Sequence, residues 1–228
     1  MMGKMTKTEL KKYDKKKIIP LAFLALVLTL SLVFYQSFLR MAGEYMAPAN
    51  LKEAEAVVIE SSELVREKAV KMGMELISQN KARLLVVVYQ NSLEEKVFGR
   101  PNDYGDFLAA KLESWNLKNE QILIIKVPKD HPITLIEAQI VLKYLAEKGI
   151  KKVILLAESF HTRRSFWAYK KVGDDLDMKI YPLPYFLKYH RENWWQHNQG
   201  IREFCTESVK FLYYLIRGYI PIKSIFLL

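Results

Sequence analysis

Cysteine is almost absent: Cys205 stands alone among 228 residues. One thiol cannot close an intrachain disulfide, and it excludes any metal site built from several cysteines. Glycine is sparse too, at nine residues, and none falls in the Glu60-Ser61-Ser62 turn that follows the first candidate strand. The tight backbone approach that phosphate cradles need is therefore missing there. No P-loop, HExxH, GxSxG or CxxC pattern occurs. His190, Glu192 and His197 lie close together, but spacings of two and five do not align them on one helical face. No metal site is predicted, and no cofactor is assigned.

Charge is absent from Ile18 to Leu39, a run of 22 residues. At about 1.5 Å per residue, a helix of that length spans the roughly 30 Å hydrocarbon core of a bilayer. Pro20 falls in its first turn, where a missing N–H costs little. Residues 1–17 carry seven lysines against Glu9 and Asp14, a net +5. Positive flanks stay cytoplasmic, so the expectation is a single-pass cell-membrane protein with a cytoplasmic N-terminus and an extracytoplasmic body. The run is longer than the apolar core of a signal peptide, and the small triplet Ala47-Pro48-Ala49 lies well downstream of it. A retained span is the expectation. The chain divides into a basic tail (1–17), a transmembrane helix (18–39), a linker (40–53) and an α/β domain (54–220).

The net charge is +10, half of it in the tail. The rest is too dilute to point to nucleic acid, although the tail suits anionic lipid. The body alternates strand and helix patterns. Strands are predicted near 55–59, 84–89, 121–127, 152–157 and 178–182. Helical spacing covers 62–80, 103–115, 134–148 and 160–172, with Gly149 as a stop signal. LLVVVY and KVILLA are continuous apolar runs, as in strands covered on both faces. The fold class is a Rossmann-like, doubly wound α/β domain with a mainly parallel sheet of about five strands. The aromatic-rich tail from Tyr185 to Tyr219 is read as helical. The last residues, IPIKSIFLL, are expected to dock on the domain or the membrane surface, because Lys210, Arg217 and Lys223 interrupt a second span.

Ligands of open parallel sheets bind beyond the C-terminal strand ends. That rule selects Glu60, Ser61 and Arg66 after the first strand, and Gln90 and Asn91 after the second. It also selects the dense turn Glu158-Ser159-Phe160-His161-Thr162-Arg163-Arg164 after the fourth. A helix N-terminus with two arginines suits a phosphate or carboxylate, and a histidine there can move a proton. A solvated basic turn with a capping serine is the alternative.

The stretch VILLAESFHTRRSFWAYKKV resembles the strand–turn–helix signature of the YdcF-like (SanA/ElyC-type) family, a hydrophobic strand followed by Thr-Ser-x-x-His-x-x-Arg-Ala. ITLIEA is similar to the family's Asn-Thr-x-x-Glu-Ala segment, with Ile133 in place of Asn. The tail, with Glu207, Lys210 and a final Gly-Tyr, resembles the family's C-terminus. The resemblance covers about residues 54–219. It implies a role in cell-envelope biogenesis, in the cell wall or surface polysaccharide, with an anionic or phosphorylated precursor bound or processed. On this reading His161 and Glu137 are the catalytic candidates, and Arg66, Thr134, Ser159, Arg163 and Arg164 bind the ligand. A non-catalytic scaffold for envelope assembly is the alternative, favoured slightly by the missing glycines.

Overall fold

The computed structural model describes residues 15–61, 65–90, 104–115 and 117–227. Most of the basic tail, the start of the predicted 62–80 helix and Asn91 lie outside them. The chain divides into two compact units, Met1–Met41 and Ala42–Leu228. Helix α1 (Lys15–Met46) contains Pro20 near its start. Among the described residues no single helix is long and apolar enough to cross a membrane. The segments Ile19–Ser31 and Val33–Met46, bent by 47°, pass that test together.

The second unit is built on a five-stranded, all-parallel sheet. Its strands are β1 (Ala56–Ile59), β2 (Leu84–Gln90), β3 (Ile122–Val127), β4 (Lys152–Glu158) and β5 (Lys179–Tyr185), in the order β3-β2-β1-β4-β5. Ala56 pairs with Leu84 on one side and with Val153 on the other, so β1 is central. All four β1 residues are buried, as are five consecutive residues in each of β2 and β4. A strand covered on both faces must be apolar at every position, and each buried Val, Leu or Ile contributes about 1.5–3 kcal/mol. β5 carries Pro182 and Pro184. Proline has no N–H to give a second neighbour, so this strand belongs at an edge. Pro182 O accepts the Asn50 N–H at 2.8 Å.

Helices α2 (Glu67–Ser78) and α3 (Tyr104–Glu113) follow β1 and β2. They bury Val70, Leu76, Leu108 and Leu112 in one cluster with Val57, Ile59, Leu85 and Val87. Helices α4 (Ile133–Glu147) and α5 (His161–Asp175) follow β3 and β4 and pack on each other. Right-handed crossovers set these two pairs on opposite faces, which is double winding. Gly149 ends α4 at φ 74°. Ile150 N–H reaches Leu145 O and Gly149 N–H reaches Ala146 O, the paired bonds of a left-handed helix stop.

The start of α2 and the aromatic tail differ most from expectation. Helix α2 starts at Glu67, because Arg66 is extended and Ser61, a capping residue by type, spends its hydroxyl on Glu137. The tail is not helical throughout. A bend and a short 3-10 turn (Trp194–Gln196) precede α6 (Asn198–Ile216). Phe160 draws that bend inward, ringed by Phe186, Tyr189, Trp194 and Phe204. A Cβ on Gly200 would stand 2.3 Å from Trp194 O, so only glycine lets α6 start this close to the turn.

Candidate functional site

The β1 and β4 strands are neighbours, and the chain leaves them toward opposite sides of the sheet. Such a switch point opens a crevice beyond the strand ends. Here the crevice is a cleft of about 310 Å³. Glu60 and Ser61 extend β1 into it. Glu158 ends β4, Ser159 follows it, and His161 opens α5. Ser159 turns the chain from strand to helix in a left-handed conformation, φ 55°. Its N–H bonds Tyr185 O at 2.8 Å and its carbonyl accepts the Thr162 hydroxyl at 2.7 Å. Helix α6 closes the cleft with Glu203, Glu207 and Lys210.

His161 is 23% exposed and held at both nitrogens. Nε2 lies 2.8 Å from Glu60 Oε1, and Nδ1 lies 3.2 Å from Glu207 Oε2. Burial and the neighbouring Arg164 work against the charged ring, but the two carboxylates outweigh them and push its pKa up to about 9. Arg164 Nη2 stands 2.6 Å from Nδ1, a contact that by itself favours a neutral ring accepting at that nitrogen. Against a carboxylate on each side it is the weaker influence. The ring is therefore a proton donor at neutral pH rather than the poised shuttle expected from its type.

Arg164 is buried and fully engaged. Nε and Nη2 bond Glu207 Oε2 at 3.1 and 3.0 Å, and Nη1 bonds Thr134 Oγ1 at 2.8 Å. Lys210 Nζ reaches Glu207 Oε1 at 2.8 Å. Despite the burial, His161, Arg164 and Lys210 hold the Glu207 carboxyl well below the usual range.

Glu137 lies beneath the cleft floor and does not line it. Its Oε1 accepts the Ser61 N–H at 3.1 Å and the Tyr169 hydroxyl at 2.7 Å, and its Oε2 meets the Ser61 hydroxyl. Burial and the Glu60 charge push it up to about 7, against those hydrogen bonds. The first βα turn thus carries an internal carboxylate on its backbone N–H, the kind of group to which glycine-rich turns bind phosphate. Glu60 Oε1 takes the Ser165 hydroxyl at 2.6 Å, while buried Oε2 has no hydrogen-bond partner among the described residues.

Ser159, His161 and Arg164 come together in the cleft, with Thr134 and Glu137 one layer below. Arg66 is half exposed and pairs with Glu158 at 3.4 Å. Arg163 goes elsewhere. A residue beside Arg164 on a helix points about 100° away from it, and Arg163 is 1% exposed on the far side of α5. It donates from Nη1 to Tyr45 O at 2.8 Å and from Nη2 to the Ser224 and Leu227 carbonyls, and it stacks 3.5 Å over the Tyr45 ring. It lies in no ligand's path in the cleft.

Glu203, Tyr185 and Tyr189 were not singled out by sequence reasoning. Tyr189 bridges Ser159 to Glu203. Glu203 and Glu207 stand four apart on one face of α6, a spacing visible in the sequence once that helix is placed. Among the described residues no group of three or more acidic, His or Cys side chains is arranged to hold a metal. No protein-family model matches this chain, and no curated protein matches it.

Proposed function

We propose that this is a membrane-anchored, YdcF-like protein of the cell envelope. Its α/β domain lies outside the membrane, and its cleft binds or processes an anionic or phosphorylated precursor of the wall or surface polysaccharide. The uncharged run behind a lysine-rich tail supports the anchor. The bent pair of helical segments meets the length and apolarity of a span. The resemblance in the His161 turn and the tail supports the envelope role.

The observation that carries the site is His161 clamped between Glu60 and Glu207 in the switch-point cleft. Charge balance then says which part of a precursor goes where. Glu60, Glu158, Glu203 and Glu207 line the cleft against His161, Arg164 and Lys210, and both His161 and Arg164 already have their anions. Such a floor suits hydroxyl groups, which donate to carboxylates. The precursor's anionic group belongs at the rim, near half-exposed Lys210 and Arg66. His161, charged at neutral pH, acts as a general acid toward a leaving oxygen there. The scaffold reading draws support from one fact: both ring nitrogens already have protein partners.

Titration of the purified full chain with a hexose phosphate, a neutral hexoside and inorganic phosphate tests the ligand. The sugar phosphate is expected to bind tightest, and tighter binding of inorganic phosphate alone would refute the assignment of the floor. Cells expressing His161→Gln at normal level separate catalyst from scaffold. An enzyme loses its envelope function, and a scaffold keeps it.

A further inference from the structure

Helix α6 has two apolar sides. Phe204, Phe211, Tyr214 and Leu215 turn toward the domain. Ile201, Cys205, Val209, Leu212 and Ile216 fall within an arc of about 80°, at roughly 100° per residue, and all five are exposed. A surface helix of a soluble domain needs one apolar stripe, the one that meets the core. The second stripe borders, at Leu212, a groove of about 320 Å³. Phe211 and Leu215 line it from the domain side of α6, Ile225 from the terminal 3-10 turn (Ile222–Ile225), and Tyr45 and Met46 from the end of α1. The Tyr45 hydroxyl bonds Ile225 O at 3.0 Å. The terminal turn adds Ile222 and Phe226, 70% and 81% exposed.

We propose that this face of α6 and the terminal turn docks on the bilayer surface, its stripe set at the boundary between headgroups and acyl chains. The proposal rests on the anchored reading given above. Two observations select a bilayer as the occupant. First, the groove is bordered by Tyr45, six residues beyond Leu39, the last residue of the uncharged run. Six residues reach at most about 20 Å, so a span ending at Leu39 keeps lipid within range. Second, residues 208–228 contain Lys210, Arg217 and Lys223 and no acid. Lys210 serves Glu207, and the other two remain exposed beside the apolar face, as amphipathic segments on anionic membranes require. Docking gives the domain a second hold on the membrane, so the cleft keeps one height and one orientation above it.

Cys205 lies on the stripe and is exposed, so it accepts an environment-sensitive fluorophore without any substitution. The labelled full chain is reconstituted into vesicles of phosphatidylcholine and phosphatidylglycerol. Docking predicts blue-shifted emission, quenched by lipids that carry a nitroxide near the headgroup. Arg217→Gln and Lys223→Gln each lower the docked-to-free ratio about fivefold. Leu212→Glu with Ile216→Glu returns the emission to that of water while the chain still floats with the vesicles. Water-like emission from the unsubstituted chain, floating with its vesicles, overturns docking and leaves the anchor standing. A chain that does not float with vesicles overturns both. Blue-shifted emission that ignores the lipid quencher and grows with protein density marks a second copy on this face, and overturns docking as well.

Discussion

Stability should be greatest near pH 5 and fall steadily toward pH 9, the opposite of a domain held by ordinary surface carboxylates. Burial and the Glu60 charge raise Glu137 from the usual 4.5 to about 7. Between those values the unfolded chain has lost this proton and the folded chain keeps it, so stability drops as pH rises. His161 continues the trend. Despite burial, Glu60 and Glu207 raise it from 6.5 to about 9, and stability complete below 6.5 is lost on the way to 9. Glu207 runs the other way. Its carboxyl is held low by His161, Arg164 and Lys210, so its contribution is present above 4.5 and lost on acidification. Each pH unit is worth about 1.4 kcal/mol, which caps either falling limb at roughly 3 kcal/mol. Glu60 takes part in both limbs, so they do not simply add, and a total near 4 kcal/mol between pH 5 and 9 is the working figure. For a domain of this size that is about 10 °C in Tm. Urea unfolding of the detergent-solubilised chain, followed by tryptophan fluorescence at pH 5, 7 and 9, reads it directly. Glu137→Gln should flatten the lower limb and His161→Gln the upper one. A midpoint that holds constant or climbs from pH 5 to pH 9 would refute the charge assignment.

Arg163→Ala should cost about 3 kcal/mol, because three carbonyls lose their donor and a buried volume empties. Limited proteolysis should then cut the released terminal turn, whereas an unchanged melt with an intact C-terminus would show the contacts to be incidental. Glu207→Gln leaves Arg164 buried beside a neutral amide and should also cost about 3 kcal/mol, with the His161 pKa dropping in a histidine NMR titration. Gly200→Ala drives a methyl into the Trp194 carbonyl and should cost about 1–3 kcal/mol in thermal unfolding. Protease added to intact cells or spheroplasts should degrade the body from about residue 50 while the lysine tail survives. Degradation only after lysis would reverse the topology.

The sheet was legible because its three inner strands are covered on both faces. LLVVV and VILLA admit few other readings, and the crossovers between them leave one handedness. Strand order was not legible, since nothing local in AVVI says that it sits between β2 and β4. The site was legible as a rim and illegible as a set of partners. The helical repeat that sends Arg164 into the cleft sends Arg163 out of it, and residue spacing alone does not say which neighbour faces inward. Glu207 was visible as part of a tail motif, but its meeting with His161 across 46 positions depends on how α6 returns over the sheet. Glu137 was read as a catalytic carboxylate from the resemblance of the ITLIEA segment. Its actual neighbours, Ser61 and Tyr169, come from the turn after β1 and from α5, and only tertiary packing assembles them.

The bonds of Arg163 and of the Tyr45 hydroxyl tie residue 45 to residues 224, 225 and 227, so the body of the chain closes into a loop. The guanidinium stands on the opening turn of α5, where His161 sits two residues away. Closure of the loop and placement of the imidazole thus share one helical turn, and a substitution that opens the loop at Arg163 starts two residues from the site.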